Sequence, residues 1–392
     1  MILHIFNLLD RVVLHEKLGG IVRKRSSVPT EMQEKASSPR RGRLEMDEKE
    51  PLSLRGRFLN PRTLLSVLLA GAVLFLVFRQ FLGLDWHEVW TNVTEANPIF
   101  LVVALGVFYT SFYVRALRWK VLLENVGYSR ETRVRMPSSW GLARIMYISW
   151  FANCVTVVRI GDAYRGYLLK RRAGVSFTVT LGTILAERVL DLAVLAVMLL
   201  GSILIVFHGS MPSGVSGPLL AGAIVSALGV ATLLILRRFG DSVGRLVPVR
   251  FRETYRRLAH GMSGSVARVP ALVGYSIAGW AIESATLYLV ARSIGADISV
   301  WGAISVALVA SLLSVFPFTP AGLGVAEAGI ILALGWLGVP ADIAATIAIL
   351  DRLITYWSIV FFGFPVYLLG PGRSPETRPG KFIISTESRK EL

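Results

Sequence analysis

The stretch that decides the fold is TVTLGTILAERVLDLAVLAVMLLGSILIVF, Thr178 to Phe207. It exceeds the length of about 20 apolar residues that a helix needs to cross the hydrocarbon core of a bilayer. Glu187, Arg188 and Asp191 interrupt it, and each charge would cost about 2.5 to 3.5 kcal/mol if it faced lipid at the bilayer centre. The stretch therefore predicts a membrane-spanning helix whose charges face protein, water or each other.

The composition of the whole chain agrees with a membrane protein. Of its 392 residues, 53% are hydrophobic and 17% are charged, which is too apolar for an ordinary soluble domain. The formal net charge of +16 would favour nucleic-acid binding in a soluble protein. Here most basic residues flank apolar runs, so we expect no nucleic-acid partner and we expect the basic loops to face anionic lipid headgroups.

Further apolar runs predict an all-α integral membrane protein with about six full spans and two re-entrant helical hairpins. The candidate spans are Thr63 to Leu82, Pro98 to Leu117, Thr178 to Phe207, Pro218 to Leu236, Ala271 to Ala291 and Ala341 to Leu369. The first hairpin is Ser139 to Val158, followed at once by the polar segment that begins at Arg159. The second is Val300 to Phe316, which breaks at Pro317 and resumes from Val325 to Leu337.

Loop charges set the predicted orientation. Basic residues precede the first span and follow the second, whereas the loop between these spans carries Asp85, Glu88 and Glu95. Because cytoplasmic loops are enriched in Lys and Arg, we expect a plasma-membrane protein with both termini in the cytoplasm. The loop Arg237 to Arg268 is also interior, either as a solvated basic connector or as an interfacial amphipathic helix. The other basic residues behind this prediction are Arg55, Arg57, Arg62, Arg118, Lys120, Arg130, Arg133, Arg135, Lys170, Arg171 and Arg172.

The domain organisation follows from the same patterns. The predicted regions are a disordered cytoplasmic tail at 1–60, a transmembrane domain at 61–370 with halves at about 61–207 and 218–370, and a polar cytoplasmic tail at 371–392. Translation from Met46 is an alternative start. The single cysteine, Cys154, gives no disulfide or metal-ligand spacing, so we expect a packing role for it and no metal or cofactor.

The two halves share a sequence pattern. GVSFTVTLGTILAERVLDL, Gly174 to Leu192, aligns without gaps on GVPADIAATIAILDRLITY, Gly338 to Tyr356. The alignment places Asp351 and Arg352 on the acid–Arg pair of the first half, and such a pair is rare inside a span. We expect two spans, a hairpin and one span to occur twice with opposite orientation. Inverted repeats of this kind recur in transporters, where broken hairpins line a polar site; the alternative is a pair of structural turns in an ordinary bundle.

The charges inside the spans allow two interpretations. Asp191 follows Glu187 by four residues and Arg188 by three, so the three side chains can crowd one flank of a helix. They could form a self-compensating ion cluster that locks helix packing. Alternatively, an Arg is presented to a lipid phosphate while carboxylates set its geometry or carry protons. Asp351 and Arg352 diverge by about 100° on a helix, so we expect them to meet partners on the hairpins and not each other.

The turn of the second hairpin is PFTPAGLGVAE, Pro317 to Glu327. Its prolines end one arm, and its glycines permit a turn and a close backbone approach. The next helix begins near Val325, so its free N–H groups could bind an anionic headgroup that Glu327 tunes or gates; a plain turn is the alternative. We expect no catalytic residue. The candidate substrate-binding residues are Arg159, Asp162, Arg165, Glu187, Arg188, Asp191, Pro320, Gly322, Gly324, Glu327, Asp351 and Arg352.

Four ordered motifs, VRIGDAYRGYLL, LAERVLDL, PFTPAGLGVAE and ILDRLITY, together resemble the transmembrane region of lysylphosphatidylglycerol synthases and related stand-alone flippase-like proteins. The resemblance covers about Arg62 to Leu369, and Asp162 stands where the family more often has Glu. In the full-length synthases this region is linked to lipid translocation, and a separate soluble domain transfers lysine from tRNA to phosphatidylglycerol. The polar tail after the last span is too short for such a domain, so we expect no lipid synthesis.

The resemblance implies a lipid translocase for a phospholipid or a polyprenyl-linked glycolipid. Its partners would be membrane lipids with anionic or phosphate-bearing headgroups, and a homo-oligomer or a glycosyltransferase partner stays open. The chain has no Walker motif, so ATP would not drive movement directly. Two alternatives are a non-transporting partner subunit of a cell-envelope glycosyltransferase and a membrane-embedded enzyme that modifies lipid headgroups. The enzyme is the weaker alternative, because no His, Ser or Cys constellation accompanies the acids.

Overall fold

The computed structural model describes residues 84–128, 136–156, 160–208, 247–314 and 319–368, with scattered positions between 220 and 242. Every regular element in these ranges is helical, which confirms the all-α class. The predicted first span, both predicted tails and Arg159 lie outside the described residues. The predicted span Pro218 to Leu236 is described only in part, as a short apolar helix at Ser226–Leu236.

The other helices are numbered in chain order. They are α1 (Trp86–Glu95), α2 (Pro98–Asn125), α3 (Ser139–Val155), α4 (Ile160–Ala173), α5 (Phe177–Val206), α6 (Val249–Ser265), α7 (Val269–Ser293), α8 (Val300–Leu313), α9 (Val325–Trp336), α10 (Ala341–Arg352) and α11 (Ser358–Leu368). A short 3₁₀ turn, Pro320–Gly322, precedes α9, and a π-helical turn, Leu353–Trp357, joins α10 to α11. The starts follow local chemistry, since Asn97, Ser176 and Ser299 each accept a hydrogen bond from a backbone N–H of the first turn.

Three helical segments of the described chain are long and apolar enough to cross a membrane. They are α2, α5 and the continuous segment Ala341–Leu368, which contains α10, the π turn and α11. Helices α6 and α7 together would make a fourth, but they are bent by 82° at the break between them. The count of six spans therefore stays a prediction.

Helix α2 corrects one predicted boundary. The sequence placed the end of the second span at Leu117 and put Arg118 in a cytoplasmic loop, but α2 continues to Asn125. Arg115 and Arg118 lie inside this helix with 5% and 1% of their surface exposed. Carboxylates on neighbouring helices form ion pairs with both side chains. Because each buried charge is paired, α2 can extend beyond Leu117 without leaving an uncompensated arginine.

Each predicted break falls between two helices that pack on each other. In the first pair, Ser149 Oγ of α3 donates to the carbonyl oxygen of Gly161 in α4 at 2.8 Å, and a Cβ at Gly161 would lie 2.0 Å from the Ser149 carbonyl oxygen. In the second pair, a Cβ at Gly329 of α9 would lie 3.1 Å from Cα of Ala310 in α8. Each pair is a helical hairpin held by a glycine contact, and its position in a bilayer stays a prediction.

The basic segment after the fourth predicted span contains helix α6, and whether this segment lies in solvent or at the membrane interface stays a prediction. Helix α6 packs on α5 through two glycines, because a Cβ at Gly261 would lie 2.2 Å from the carbonyl oxygen of Val179 and a Cβ at Gly182 would lie 2.4 Å from that of Leu258. The opposite side of α6 exposes basic and apolar side chains, including Phe251. This amphipathic helix agrees with the second interpretation of the loop.

Contacts between helix ends fix the directions of the long helices. The Asn97 N–H donates to the Ser293 carbonyl oxygen at 2.7 Å, so the start of α2 meets the end of α7. At the other end, Arg268 and Glu124 form an ion pair at 3.2 Å. The N–H of Ser176, at the start of α5, donates to the Tyr128 hydroxyl just beyond α2. Helices α5 and α7 therefore run opposite to α2.

Candidate functional site

A buried ion network joins α2, α4, α5 and α7. Arg118 occupies its centre: Nη2 donates to Glu187 Oε1 and to Asp191 Oδ2, both at 2.9 Å, and Nη1 donates to Asp191 Oδ1 and, at 2.8 Å, to Ser276 Oγ. The side chains of Arg118 and Glu187 are each 2% exposed. A buried guanidinium with four charge-assisted or neutral hydrogen bonds is compensated within the protein, so Arg118 holds three helices together.

Arg165 of α4 completes this network from the other side of Glu187. Its Nη2 donates to Glu187 Oε2 at 3.0 Å and its Nη1 to Glu187 Oε1 at 3.3 Å. The guanidinium carbon lies 4.7 Å from the centre of the Trp119 ring, a cation–π distance. Arg165 is fully buried, so Glu187 is clamped between two guanidinium groups.

Arg188, the next residue of α5, points to a different partner. Its Nε and Nη2 donate to the two carboxylate oxygens of Asp162 at 3.1 and 2.9 Å, which is the bidentate geometry that suits a planar guanidinium. Its Nη1 lies 4.0 Å from Asp191 Oδ2. The sequence spacing thus separates two roles on one helix, because Glu187 faces the buried network while Arg188 faces the α4 hairpin arm.

Arg115 forms a second cluster one turn before Arg118 on α2. It pairs with Glu283 of α7, and its guanidinium carbon lies 5.0 Å from the Trp150 ring and 5.5 Å from the Trp280 ring. Ser311 Oγ of α8 is 3.5 Å from the other oxygen of Glu283. Arg115 is therefore held between two indoles and a carboxylate, with both its charge and its flat faces engaged.

The second half contributes Arg352 and Asp351 at the end of α10. Arg352 Nε lies 3.6 Å from Glu327 Oε1, while Glu327 Oε2 accepts the Gly324 N–H at 2.7 Å and caps α9. Gly324 has a φ of +84°, a conformation that a glycine adopts without strain. Asp351 is 7% exposed, and its Oδ2 accepts from the Thr355 hydroxyl at 3.2 Å.

These groups surround a cavity of about 380 Å³. Its charged wall consists of Arg115, Asp162, Arg188, Asp191, Glu283, Asp351 and Arg352. Its apolar wall includes Phe108, Leu192, Leu195, Leu287, Ala307 and Ile330. The cavity is thus amphipathic, with charge from α2, α4, α5, α7 and α10, and it has the size of a small-molecule site.

The five arginines described above fall into two sets according to whether their terminal nitrogens make hydrogen bonds. Arg118 and Arg165 engage both terminal nitrogens and do not line the cavity. Among the described residues, Arg115 Nη1, Arg188 Nη1 and both terminal nitrogens of Arg352 make no hydrogen bond. The arginines that line the cavity are therefore the ones whose terminal nitrogens have hydrogen-bonding capacity left for a ligand.

The structure brings together only part of the sequence-based set. Five of the twelve candidates line the cavity, namely Asp162, Arg188, Asp191, Asp351 and Arg352. Arg165 and Glu187 lie in the buried network behind it. Pro320, Gly322, Gly324 and Glu327 belong to the turn and start of α9, where Glu327 meets Arg352 as expected for a hairpin partner. Arg159 lies outside the described residues.

Sequence reasoning missed four residues of the site. Arg118 was missed because the second span was ended at Leu117, and Arg115 stands two residues before that predicted end. Glu283 and Trp280 stand inside the predicted span Ala271 to Ala291. The usable signal was Glu283, because a lone carboxylate in an apolar run needs a basic partner on another helix.

The apolar helices and the buried charges around this cavity define the class of a helical, multi-pass membrane protein. The chain belongs to the family described as Lysylphosphatidylglycerol synthase TM region, whose sequence model matches residues 63–363. This finding confirms the resemblance carried by the four motifs.

Several archaeal proteins are similar to the chain. A UPF0104 membrane protein of Methanocaldococcus jannaschii is 31% identical over 218 residues, which cover 54% of this chain and 91% of that protein. Another UPF0104 membrane protein, from Methanothermobacter thermautotrophicus, is 25% identical over 69% of this chain and 83% of its own length. Glycosyltransferase AglD of Haloferax volcanii is 24% identical over 77% of this chain, and the match spans 54% of that protein, about half its length.

Proposed function

We propose that this protein is a flippase-like lipid translocase that moves a phospholipid or a polyprenyl-linked glycolipid across the membrane, and that it is not an enzyme. The observation that carries the proposal is the amphipathic cavity into which three arginines bring free terminal nitrogens. Guanidinium groups bind phosphate oxygens by charge-assisted hydrogen bonds. The apolar wall suits the first carbons of a lipid chain. An anionic or phosphate-bearing lipid matches both walls.

We infer an inverted repeat, which would support this function. The aligned glycines Gly174 and Gly338 have φ values of +69° and +77°, and each follows the second arm of a hairpin. Helix α5 starts beside the end of α2, whereas α10 starts beside α1, where the Asp85 N–H donates to Asp342 Oδ1. The two aligned helices therefore run in opposite directions, as inverted repeats require.

The ion pairs repeat as well. Arg188 pairs with Asp162 and Arg352 with Glu327, and each acid is the third residue of the second hairpin arm. We infer six spans and two re-entrant hairpins, with both termini on the cytoplasmic side of the plasma membrane. The site would then lie between the two halves, near the middle of the bilayer, where transporters with inverted repeats bind their substrates.

Lipid movement in vesicles tests the proposal. The purified protein is reconstituted in phosphatidylcholine vesicles, and the transbilayer movement of several headgroup-labelled phospholipids and of a polyprenyl-phosphate sugar is followed. We expect lipid-selective movement in the wild type and a loss of about tenfold in Arg352→Gln, because a hydrogen bond between charged groups contributes about 1.5 to 3 kcal/mol. The matched control is Arg292→Gln, whose side chain is 43% exposed and pairs with Asp297 outside the cavity.

The second candidate function is that of a non-transporting partner of a glycosyltransferase. The similarity to Glycosyltransferase AglD favours it, because a matching region there makes up about half of a longer protein. Absence of movement for every lipid, together with co-purification of a glycosyltransferase, would support this function over translocation. Formation of a headgroup-modified lipid by the purified protein alone would instead identify an enzyme.

A further inference from the structure

Asp351 differs from the other carboxylates of the cavity wall. Asp162 pairs with Arg188, Glu283 pairs with Arg115, and Asp191 pairs with Arg118. Among the described residues, Asp351 alone of these four acids has no basic side chain within 4.0 Å. Its one side-chain partner is the Thr355 hydroxyl, although 93% of its surface is buried. Among the four acids of the cavity wall, Asp351 is therefore the one without an ion-pair partner in the described part of the chain.

Arg352 acts on Asp351 as an opposite charge but compensates this carboxylate only in part. On its own helix Arg352 follows it, but this side chain is directed to Glu327 of α9. Helix α7 presents Glu283, which Arg115 of α2 engages. Both glutamates act on Asp351 as like charges.

The remaining elements near Asp351 supply little charge. Helix α3 contributes the Cys154 thiol, and the π turn contributes the phenol of Tyr356, which donates to the Cys154 carbonyl oxygen at 2.9 Å. The contact of α1 with α10 that involves charge is at the far end of α10, at Asp342. Asp351 therefore lies among acids and weakly polar groups, with Arg352 as its nearest cation.

The negative charge of Asp351 opposes the binding of an anionic ligand in the cavity. The cavity wall carries three arginines and four carboxylates, so it is formally negative by one charge before any ligand enters. A phosphodiester would add a second negative charge beside carboxylates that are mostly buried, where repulsion between like charges is stronger than in bulk water. Binding of an anionic ligand is therefore favoured when one positive charge, on the ligand or on a second bound species, enters the cavity with it.

We propose that Asp351 is a proton-binding site, and that the cavity takes up one proton together with a phosphate-bearing lipid. This inference rests on the proposed function. The proton adds to a carboxylate oxygen of Asp351 when the phosphate reaches Arg352, and it leaves when the lipid departs. No covalent bond of the lipid changes. A proton gradient would then bias the direction of lipid movement, with Asp351 as the coupling group.

Calorimetry measures this proton directly. The full chain in phosphatidylcholine nanodiscs is titrated with dioctanoyl phosphatidylglycerol, and in parallel with the phosphodiester farnesyl phosphoryl mannose, in two buffers of different ionisation enthalpy at each pH between 6 and 9. We expect uptake that approaches one proton per ligand, and an affinity that falls about tenfold per pH unit where the uptake is complete. Asp351→Asn should bind the same probes without uptake and with a flat pH profile. Asp297→Asn, at a 95% exposed site, is the matched control and should keep the uptake.

The outcomes separate this inference from the proposed function. Binding without proton uptake would overturn the role of Asp351 and leave lipid binding intact. Proton uptake that persists in Asp351→Asn would show that another group binds the proton, and the role of Asp351 would be wrong. If affinity instead follows the sodium concentration at constant ionic strength, the bound cation is a metal ion and the proton assignment is wrong. If neither probe binds at any pH, the proposed function itself fails.

Discussion

Glu187 accepts hydrogen bonds from two guanidinium groups, whereas Arg188 beside it keeps a nitrogen free at the cavity. Neighbours in the sequence therefore carry different tasks, because successive helical residues diverge by about 100°. The self-compensating interpretation of the charged span describes Glu187, and the lipid-phosphate interpretation of Arg188 stays a prediction. The self-compensating cluster contains Glu187 with Arg118 and Arg165, and the residues with capacity left for a ligand lie on the cavity side.

Loss of the Glu187 charge should destabilise the protein. In Glu187→Gln, Arg165 loses its carboxylate partner and Arg118 keeps only Asp191, and breaking a buried pair in this way costs about 3 to 5 kcal/mol. We expect a clearly lower midpoint of thermal unfolding for the purified protein. Glu253→Gln, which removes an ion pair with a 68% exposed acid on α6, should leave the midpoint unchanged. Equal midpoints for both variants would show that Glu187 does not hold the helices together.

The sequence could reveal the acids and arginines of α5 and α10, since each interrupts a long apolar run. It could not reveal their partners. An arginine near the end of an apolar run, such as Arg118, reads equally well as a loop residue, and only the packing of α2 on α5 decides that it is buried. The pairing of Arg352 with Glu327 was foreseeable because both stand in the second half and the hairpin had to supply a partner.

At the scale of the elements, glycines decide how closely helices approach. Gly182 of α5 and Gly261 of α6 lie against each other, and a Cβ on either would be under 2.5 Å from a backbone oxygen of the partner helix. Gly182 lies five residues before Glu187 on α5. The contact therefore sets the position of α6 and supports the helix that carries the ion network.

A methyl group at Gly182 should push α6 away from α5. The added Cβ of Gly182→Ala would meet the Leu258 carbonyl oxygen at 2.4 Å, and a clash with backbone costs about 1 to 3 kcal/mol. We expect lower thermal stability and faster proteolysis within 237–248, the segment that leads into α6. Gly201→Ala on the same helix is the control, because nothing lies within 4 Å of its Cβ and alanine favours a helix. If both variants have the same stability, the glycine contact is not essential to the packing.

At the scale of the whole molecule, the order of the helices was largely predictable, because α2, α5, α7 and α10 each correspond to an apolar run. The two breaks were foreseeable from Arg159 to Asp162 and from the prolines near residue 320. The sequence does not determine how deeply each helix inserts into a bilayer. For the second hairpin, hydropathy alone does not separate a re-entrant hairpin from two short crossings, because its two arms are apolar helices of 14 and 12 residues.

The accessibility of single cysteines decides the orientation. Cys154 is the one cysteine of the chain, so Cys154→Ala gives a background without reactive thiols. In that background, Arg171→Cys after the first hairpin should be protected from a membrane-impermeant maleimide in intact cells, and Asp297→Cys before the second should be labelled. Both positions are exposed in the structure, so a difference in labelling reports the side of the membrane and not burial.

Because α4 ends at the level where α5 begins, and α8 begins at the level where α7 ends, opposite labelling of the two sites places the two hairpins at opposite faces. Labelling of both sites from outside would exclude the inverted repeat, and with it the alternating-access form of the proposed function.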